Sequence, residues 1–319
     1  MRYVELGRSG LQVSRVCFGT WQFGGDWGAV ERDDAIAAVR AALDAGVTFF
    51  DTAQAYGFGD SESLLAEALG ADIHRDDVVV ATKGGLRQVD GGIERDASPA
   101  FLREGVEESL RHLGVEAIDL YQVHWPDRGT PFEETGAALE QLVEEGKIRH
   151  VGVSNFSPAE MEELSRTVEV ETDQPPYNLF NRAIEEDVLP WCREHDIGLL
   201  VYGPLSHGLL SGRFDPSTLA EDDWRRGHEP FEGEALRRNL EAVERLTAFA
   251  EQRGYTLPQL AVAWVLAQPG VHVAIVGARR DAHVEGIAPA ADIELSADDL
   301  AEIDELTGAA KAWGLTPEG

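Results

Sequence analysis

Four side chains that could move a proton stand at related points of the sequence. Asp51, Lys83 and His124 each follow a short run of β-branched or aromatic residues, and a tyrosine, Tyr56, lies in the segment just after the first of them. A phenol has a pKa of about 10, which is too high for efficient proton donation near neutral pH. A buried ammonium beside it stabilises the phenolate and lowers that pKa. The sequence therefore predicts Tyr56 as the proton donor, tuned by Lys83 and Asp51. His124 is the candidate for orienting the substrate oxygen.

Each of these residues, taken singly, also has an ordinary structural interpretation. A strand-end aspartate commonly caps a turn, and a single histidine or tyrosine commonly packs in a core. Lys83 is harder to interpret in that way, because the only other lysines of the chain are Lys147 and Lys311. A lysine is a compact point charge that an arginine does not replace. The set requires no metal, and it lacks a hydride source, which a nicotinamide cofactor supplies and no side chain can.

The elements that must position these residues alternate between strand and helix patterns. Strand-like runs occupy residues 16–18, 47–50, 77–82, 118–123, 148–153, 168–172, 197–202 and 271–276. Helical patterns occupy residues 62–69, 99–112 and 132–145, and a further one starts near residue 157. Such alternation is typical of βαβ units and a parallel sheet. Eight units in about 300 residues favour a closed (β/α)8 barrel over a doubly wound sheet, and no GxGxxG follows the first strand.

We therefore predict a single α/β domain over residues 1–319, a (β/α)8 TIM barrel with extra helices. The longest irregular stretch covers residues 203–233, after the seventh strand. A loop of that length is usually a lid or a binding loop, and the alternative is a disordered insertion. In a barrel of this kind the active site lies at the carboxyl ends of the strands, which is where the four candidate residues fall.

Composition and charge exclude several classes of partner. The chain carries 58 acidic and 27 basic residues, for a net charge of −31, so nucleic acid and anionic membrane surfaces are not expected partners. We interpret this charge as adaptation to high salt, where ions screen the repulsion. No long apolar run and no signal-peptide pattern occurs, so we expect a cytoplasmic protein. The two cysteines, Cys17 and Cys192, fit small buried core residues better than a metal site.

Several segments, taken together, strongly resemble the aldo-keto reductase family. They are LGRSGL at 6–11, FGTW at 18–21, AGVTFFDTAQAYGFGDSESLLAEAL at 45–69, IDLYQVHWPD at 118–127, VGVSNF at 151–156, Gln174 with Tyr177 and Asn178, and GPLSHGLLSG at 203–212. The stress-protein-like and sugar-dehydrogenase-like members of bacteria and archaea, and the potassium-channel β-subunits, are similar to the chain. The resemblance implies reversible hydride transfer between a nicotinamide cofactor and an aldehyde, ketone, aldose or alcohol, with Tyr56 as general acid and base.

The resemblance also implies where a cofactor would bind. Ser154, Asn155 and Gln174 match residues that bind the nicotinamide carboxamide, and Tyr202 matches the ring stacked on the nicotinamide. Arg213 and Arg279 match cations near a 2′-phosphate, so NADP(H) is favoured over NAD(H), which stays possible. The full implied set is Gly19, Thr20, Trp21, Ser154, Asn155, Gln174, Tyr202, Gly203, Pro204, Leu205, Ser206, Gly208, Leu209, Arg213, Gly277, Arg279 and His283.

The chain departs from the family pattern near the adenine segment and the first strand. His283 stands at a customary glutamine, Gly286 and Ile287 at a customary Glu-Asn pair, and Cys17 at a customary glycine. Substrate contacts are expected from Trp21, Trp27 and Trp125, although aromatic residues also serve general packing.

Two other classes of function remain open at this point. One is a redox-sensing nucleotide-binding subunit with slow turnover, and the other is a (β/α)8 scaffold with unrelated chemistry. The small-molecule substrate, the direction of reaction and the oligomeric state are not given by the sequence.

Overall fold

A closed barrel of eight parallel strands forms the centre of the molecule. The computed structural model describes residues 1–25, 30–221 and 223–308. The barrel strands are β1 (Val16–Gly19), β2 (Phe49–Asp51), β3 (Val79–Gly84), β4 (Ile118–Val123), β5 (Ile148–Ser154), β6 (Thr172–Gln174), β7 (Gly198–Tyr202) and β8 (Val273–Gly277). Each strand pairs with the next, and β8 closes the barrel by pairing with β1, with Ile275 opposite Cys17. The predicted (β/α)8 barrel is confirmed.

Ten α-helices in the described part of the chain surround this barrel. They are α1 (Arg32–Asp44), α2 (Asp60–Leu69), α3 (Pro99–Leu113), α4 (Phe132–Glu144), α5 (Pro158–Leu164), α6 (Val188–Glu194), α7 (Gly233–Gln252), α8 (Leu257–Ala267), α9 (Asp281–Ile287) and α10 (Ala297–Thr307). The first six each follow the strand of the same number. The helix α5 begins with a capping box, because Ser157 accepts from the backbone of Glu160 while that glutamate accepts from the backbone of Ser157. Among the described helices, none is long and apolar enough to cross a membrane.

The core has two layers, as strand alternation requires. Residues facing into the barrel include Cys17, Phe49, Leu120 and Leu200, all fully buried. The intervening residues face the helices and form the larger layer between the barrel wall and its surroundings. Both cysteines are buried and free. Apolar side chains fill the barrel at the amino ends of its strands, and the polar inward residues lie near the carboxyl ends.

The structure differs from the prediction mainly in the sixth strand. Pairing with β5 begins only at Thr172, which lies opposite Gly152, and ends at Gln174, opposite Ser154. Val168 and Val170 are buried, and their burial in the approach to the strand explains the apolar pattern that we read as the strand itself. The helix α1 and two short hairpins, Tyr3–Glu5 with Gln12–Ser14 and Leu86–Val89 with Gly92–Arg95, were not predicted.

The long connection after β7 is present as predicted. The described residues between 203 and 232 hold only short turns of 3-10 helix, Ser206–Ser211, Pro216–Thr218 and Glu229–Phe231. Leu209 and Leu210 are fully buried, and the rings of Phe214 and Phe231 lie 5.6 Å apart. The described part of this segment is therefore a packed loop with its own core contacts.

Candidate active site

A cavity of about 1010 Å³ opens at the carboxyl end of the barrel. Asp51, Tyr56 and His124 line it, and Lys83 lies buried beneath it with 1% of its surface exposed. The strand ends therefore bring the four predicted proton-transfer residues to one place. Most of the residues implied for cofactor binding also line the cavity, namely Gly19, Thr20, Trp21, Ser154, Asn155, Gln174, Tyr202, Gly203, Pro204, Leu205, Gly208, Gly277, Arg279 and His283.

Three of the implied residues do not line the cavity. Ser206 and Leu209 are buried within the loop after β7, and Arg213 is exposed. Their position follows from the turn at 206–211, which carries left-handed backbone at Ser206 and His207 and packs one side inward. Trp27, which we also expected at the substrate end, lies outside the described residues, as does Lys311.

The ammonium of Lys83 is held between a carboxylate and a phenol. Its Nζ donates to Asp51 Oδ1 at 2.6 Å, to the carbonyl of Thr52 at 2.9 Å and to the hydroxyl oxygen of Tyr56 at 3.3 Å. Burial opposes the charge of Lys83, but Asp51 and Tyr56 outweigh it and raise the Lys83 pKa above its ordinary value. The lysine is consequently charged at neutral pH, and it directs one hydrogen bond at the phenol oxygen.

Two glutamine side chains complete the surroundings of the Asp51 carboxylate. Gln174 Nε2 donates to Asp51 Oδ2 at 2.9 Å, and Gln122 Nε2 donates to the same oxygen at 3.3 Å. Gln174 Nε2 also donates to Gln122 Oε1 at 3.1 Å. These contacts join β2, β4 and β6 inside the barrel. The carboxylate of Asp51 is therefore fixed by side chains from three other strands, since Lys83 on β3 also donates to it.

His124 faces Tyr56 across the floor of the cavity. The two rings meet edge to face with 5.7 Å between their centroids. Burial, and then the charge of Lys83, lower the His124 pKa well below its ordinary value. The imidazole is therefore neutral at pH 7, and it can donate one hydrogen bond from a ring nitrogen without competing as a second acid.

Ser154 and Asn155, at the end of β5, form a hydrogen-bonded group with Tyr202 at the cavity wall. Asn155 has a positive φ of 64°, and its Nδ2 donates to the carbonyl of His124 at 3.1 Å and to Ser154 Oγ at 3.0 Å. The hydroxyl of Tyr202 donates to Asn155 Oδ1 at 2.9 Å, and Ser154 Oγ donates to the carbonyl of Gln174 at 2.7 Å. Hydrogen bonds thus fix the left-handed Asn155 and the ring of Tyr202 at the cavity wall.

Basic side chains gather at the far end of the cavity. The pKa of His283 is lowered by burial and then by the charges of Arg280, Arg213 and Arg279, so these three arginines lie within electrostatic reach of His283. Burial and then the charge of Arg225 lower the pKa of Arg279, which is half-buried. A phosphate group is a suitable ligand for such a cluster.

Sequence reasoning missed several residues of this site. Gln122 lies on β4, two positions before His124 and buried beneath the cavity, so strand alternation could have placed it on the inward face. Leu86 and Ile93, from the unpredicted hairpin, line the cavity. Trp224 stacks on Trp21 with 6.5 Å between ring centroids, a contact between the loop after β7 and the end of β1 that no local pattern indicates.

The site as a whole can transfer one proton at the hydroxyl of Tyr56. The phenol is half-buried at the cavity wall, with an ammonium 3.3 Å behind it and a neutral imidazole in front. A carbonyl oxygen seated between Tyr56 and His124 would meet a proton donor on one side and a hydrogen-bond donor on the other. Such a pair polarises a carbonyl or takes a proton from an alcohol.

Comparison with known proteins agrees with this geometry. A family model described as the aldo/keto reductase family matches residues 15–307. The chain is 40% identical over 309 residues to aldo-keto reductase YhdN of Bacillus subtilis (strain 168), which covers 96% of this chain and 93% of that protein. It is 34% identical over 304 residues to probable aldo-keto reductase 1 of Glycine max, with 95% and 88% covered.

Solved structures give the same result. The glycerol dehydrogenase AKR11B4 from Gluconobacter oxydans superposes with a TM-score of 0.87 at 39% identity, covering 94% of this chain and 93% of that one. The aldo-keto reductase AKR11C1 from Bacillus halodurans superposes with a TM-score of 0.81 at 30% identity, covering 98% of both. The chain belongs to the aldo/keto reductase family.

Proposed function

We propose that this protein is an NADP-preferring oxidoreductase that interconverts an aldehyde or ketone with the corresponding alcohol. Small aldehydes, aldoses and polyols are the proposed substrates, and the relative named as a glycerol dehydrogenase supports a small polyol among them. The observation that carries the proposal is the position of Lys83 Nζ, 2.6 Å from Asp51 Oδ1 and 3.3 Å from the Tyr56 hydroxyl.

The residues of the cavity fit a nicotinamide dinucleotide. Gln174 lines the cavity, both N–H groups of its amide are donated to buried partners, and its Oε1 is left as an acceptor. The loop after β7 has left-handed backbone at Gly203, Ser206, His207 and Gly208, an arrangement of backbone that commonly forms anion sites. The basic group around Arg279 suits a 2′-phosphate, which supports NADP(H) rather than NAD(H).

Each of the four side chains then has its own role in proton transfer. A bound nicotinamide supplies or accepts the hydride, for which no side chain is suited. In reduction, Tyr56 donates its proton to the carbonyl oxygen, and Lys83 stabilises the phenolate that remains. In oxidation, the phenolate takes the proton of the alcohol. Asp51 keeps Lys83 charged throughout, and the neutral His124 holds the substrate oxygen by a hydrogen bond.

Titration of the protein with NADPH and NADH tests the proposal. Intrinsic fluorescence in molar salt reports binding, since Trp21 and Trp224 line the cavity. Tight binding of NADPH with weaker binding of NADH is expected, followed by oxidation of NADPH when an aldehyde is added. Preference for NADH would contradict the proposed contact of Arg279 with a 2′-phosphate and would favour an oxidising dehydrogenase. Binding of neither nucleotide would refute the proposal.

Turnover after addition of the aldehyde distinguishes an enzyme from a redox-sensing subunit. A sensing subunit keeps its nucleotide and turns over slowly, whereas the complete set of Asp51, Tyr56, Lys83 and His124 at the cavity supports repeated turnover. We expect continuous oxidation of NADPH over many turnovers, not a single turnover after which the reaction stops.

A further inference from the structure

Gln122 contacts both Asp51, which pairs with Lys83, and Gln174, which lines the cavity. It lies on β4, fully buried, with its amide between the carboxylate of Asp51 on β2 and the amide of Gln174 on β6. The three side chains form a triangle, in which 2.9 Å separates Gln174 Nε2 from Asp51 Oδ2, 3.1 Å separates it from Gln122 Oε1, and 3.3 Å separates Gln122 Nε2 from Asp51 Oδ2. One corner of this triangle pairs with Lys83 and another lines the cavity.

The chemistry of the triangle fixes how both amides are oriented. A carboxylate accepts hydrogen bonds and donates none, so the atoms that face Asp51 must be the amide nitrogens of Gln122 and Gln174. The oxygen of Gln122 then accepts the second N–H of Gln174. Both N–H groups of Gln174 are used, and its Oε1 has no donor within the described residues. The cavity therefore receives an acceptor from Gln174, not a donor.

Loss of Gln122 would release this orientation. The second N–H of Gln174 would have no acceptor in a buried position, and Asp51 would lose one of its donors. The amide of Gln174 would then be held by its contact with Asp51 alone, and it could turn about that contact and move its Oε1 away from the cavity. The carboxamide of a nicotinamide carries an NH2 group that needs an acceptor, and a displaced Oε1 would not provide one.

We propose that Gln122 is a positioning residue, which fixes the Gln174 amide as an acceptor for the nicotinamide carboxamide and braces the Asp51 carboxylate that pairs with Lys83. One buried triangle then holds the cofactor contact and the proton-transfer pair in a common geometry. This inference rests on the proposed function, because it requires that the cavity bind a nicotinamide.

Calorimetric titration of Gln122→Leu with two nucleotides tests the inference. NADPH contains the nicotinamide, and ADP-ribose 2′-phosphate is the same molecule without it. We expect Gln122→Leu to weaken NADPH binding about tenfold, as the loss of one or two buried hydrogen bonds implies, and to leave the affinity for ADP-ribose 2′-phosphate unchanged. Thr172→Val is the matched control. Thr172 lies in the same barrel interior, and among the described residues its Oγ1 has no hydrogen-bond partner.

A second variant, Gln122→Glu, gives a pH signature that a packing role would not. A protonated glutamic acid can donate to Asp51 and accept from Gln174, whereas a glutamate carboxylate would face Asp51 with like charge. NADPH affinity in this variant should approach that of the wild type at low pH and fall as the pH rises. The wild-type protein should not show this additional dependence.

The outcomes separate the inference from the proposed function. Equal weakening of NADPH and of ADP-ribose 2′-phosphate in Gln122→Leu would mean general damage and overturn the inference. Unchanged NADPH binding in Gln122→Leu, or pH-independent binding in Gln122→Glu, would also overturn it. Failure of the wild-type protein to bind NADPH would instead refute the proposed function.

Discussion

The ammonium of Lys83 lies 3.3 Å from the phenolic oxygen of Tyr56. The lysine is buried to 1% exposure and its other hydrogen bonds go to Asp51 and to the backbone of Thr52, so its charge is directed at the phenol from a fixed position. A positive charge so placed favours the phenolate and eases release of the Tyr56 proton.

Replacement of Tyr56 by phenylalanine should remove turnover and spare cofactor binding. The change deletes one hydroxyl and keeps the ring that lies against Trp21 with 6.4 Å between centroids. We expect kcat for aldehyde reduction to fall by about 10³-fold, a typical contribution of a general acid, and the Kd for NADPH to change little. Steady-state kinetics and fluorescence titration measure the two quantities. Turnover at the wild-type rate in Tyr56→Phe would contradict the assigned role.

Replacement of Lys83 by methionine should destabilise the fold as well as stop turnover. The variant leaves the Asp51 carboxylate, 2% exposed, without its cation, and we expect the free energy of unfolding to fall by about 3 kcal/mol or more. Urea unfolding in molar salt measures this. Lys147→Met is the control, because Lys147 pairs with Glu107 and Glu145 at the surface and its loss should matter much less. Equal stability of Lys83→Met and the wild type would show that the buried pair contributes nothing.

The same pair predicts a loss of stability at alkaline pH. The folded-state pKa of Lys83 is raised, so the folded chain keeps a proton that the unfolded chain releases. The contribution of Lys83 is therefore complete below about pH 10.4, the ordinary lysine pKa, and is lost as the pH rises through the folded-state value. Once the pH exceeds about 10.4, the unfolding free energy should fall less steeply in Lys83→Met than in the wild type, and parallel curves in that range would contradict the assignment.

The position of the four candidate residues was predictable from sequence, because Asp51, Lys83 and His124 stand at or just after strand ends and Tyr56 lies in the loop after Asp51. Strand ends of a parallel barrel converge, and the chemistry of a phenol, an ammonium and a carboxylate needs no further geometry to be recognised. Gln122 was not recognised, although it lies on the inward face of the strand that ends before His124. An isolated glutamine in an apolar strand has no chemistry of its own, and its meaning depends on Asp51 and Gln174, which are distant in sequence.

The parts that could not be predicted depend on contacts between distant segments. The stacking of Trp224 on Trp21 joins an irregular loop to the end of β1, and neither periodicity nor composition encodes such a contact. The sixth strand was misplaced because burial alone gives Val168 and Val170 a strand-like pattern, while the hydrogen bonds of the barrel begin at Thr172. Apolar runs identify buried segments, and strand pairing is decided by the neighbouring strand.

Replacement of Arg279 by serine should reduce the preference for NADPH. Arg279 lines the cavity and is half-buried beside His283 and Arg225, where a phosphate would meet a concentrated positive charge. We expect the Kd for NADPH to rise about tenfold and the Kd for NADH to stay nearly constant, since only NADPH carries the 2′-phosphate. Arg103→Ser is the control, because Arg103 pairs with Glu145 at the surface and does not line the cavity. A parallel loss of affinity for both nucleotides would argue against a phosphate contact.

Removal of salt should destabilise the protein, in accordance with its net charge of −31. Exposed ion pairs such as Arg103 with Glu145 are weakened by salt, but the 27 basic residues cannot balance 58 acidic ones, so repulsion between carboxylates is the larger effect. Screening shortens the Debye length from about 30 Å at 0.01 M to about 3 Å at 1 M salt.

We expect the Tm to rise by roughly 10 °C between these concentrations of KCl, a stabilisation of a few kcal/mol for a chain of this size. Most of the rise should occur below about 0.5 M KCl, and sucrose at the same osmolality should give a smaller, gradual rise, because sucrose stabilises by exclusion and does not screen charge. A Tm that is constant in KCl, or that rises equally in sucrose, would show that carboxylate repulsion does not limit the stability of this fold.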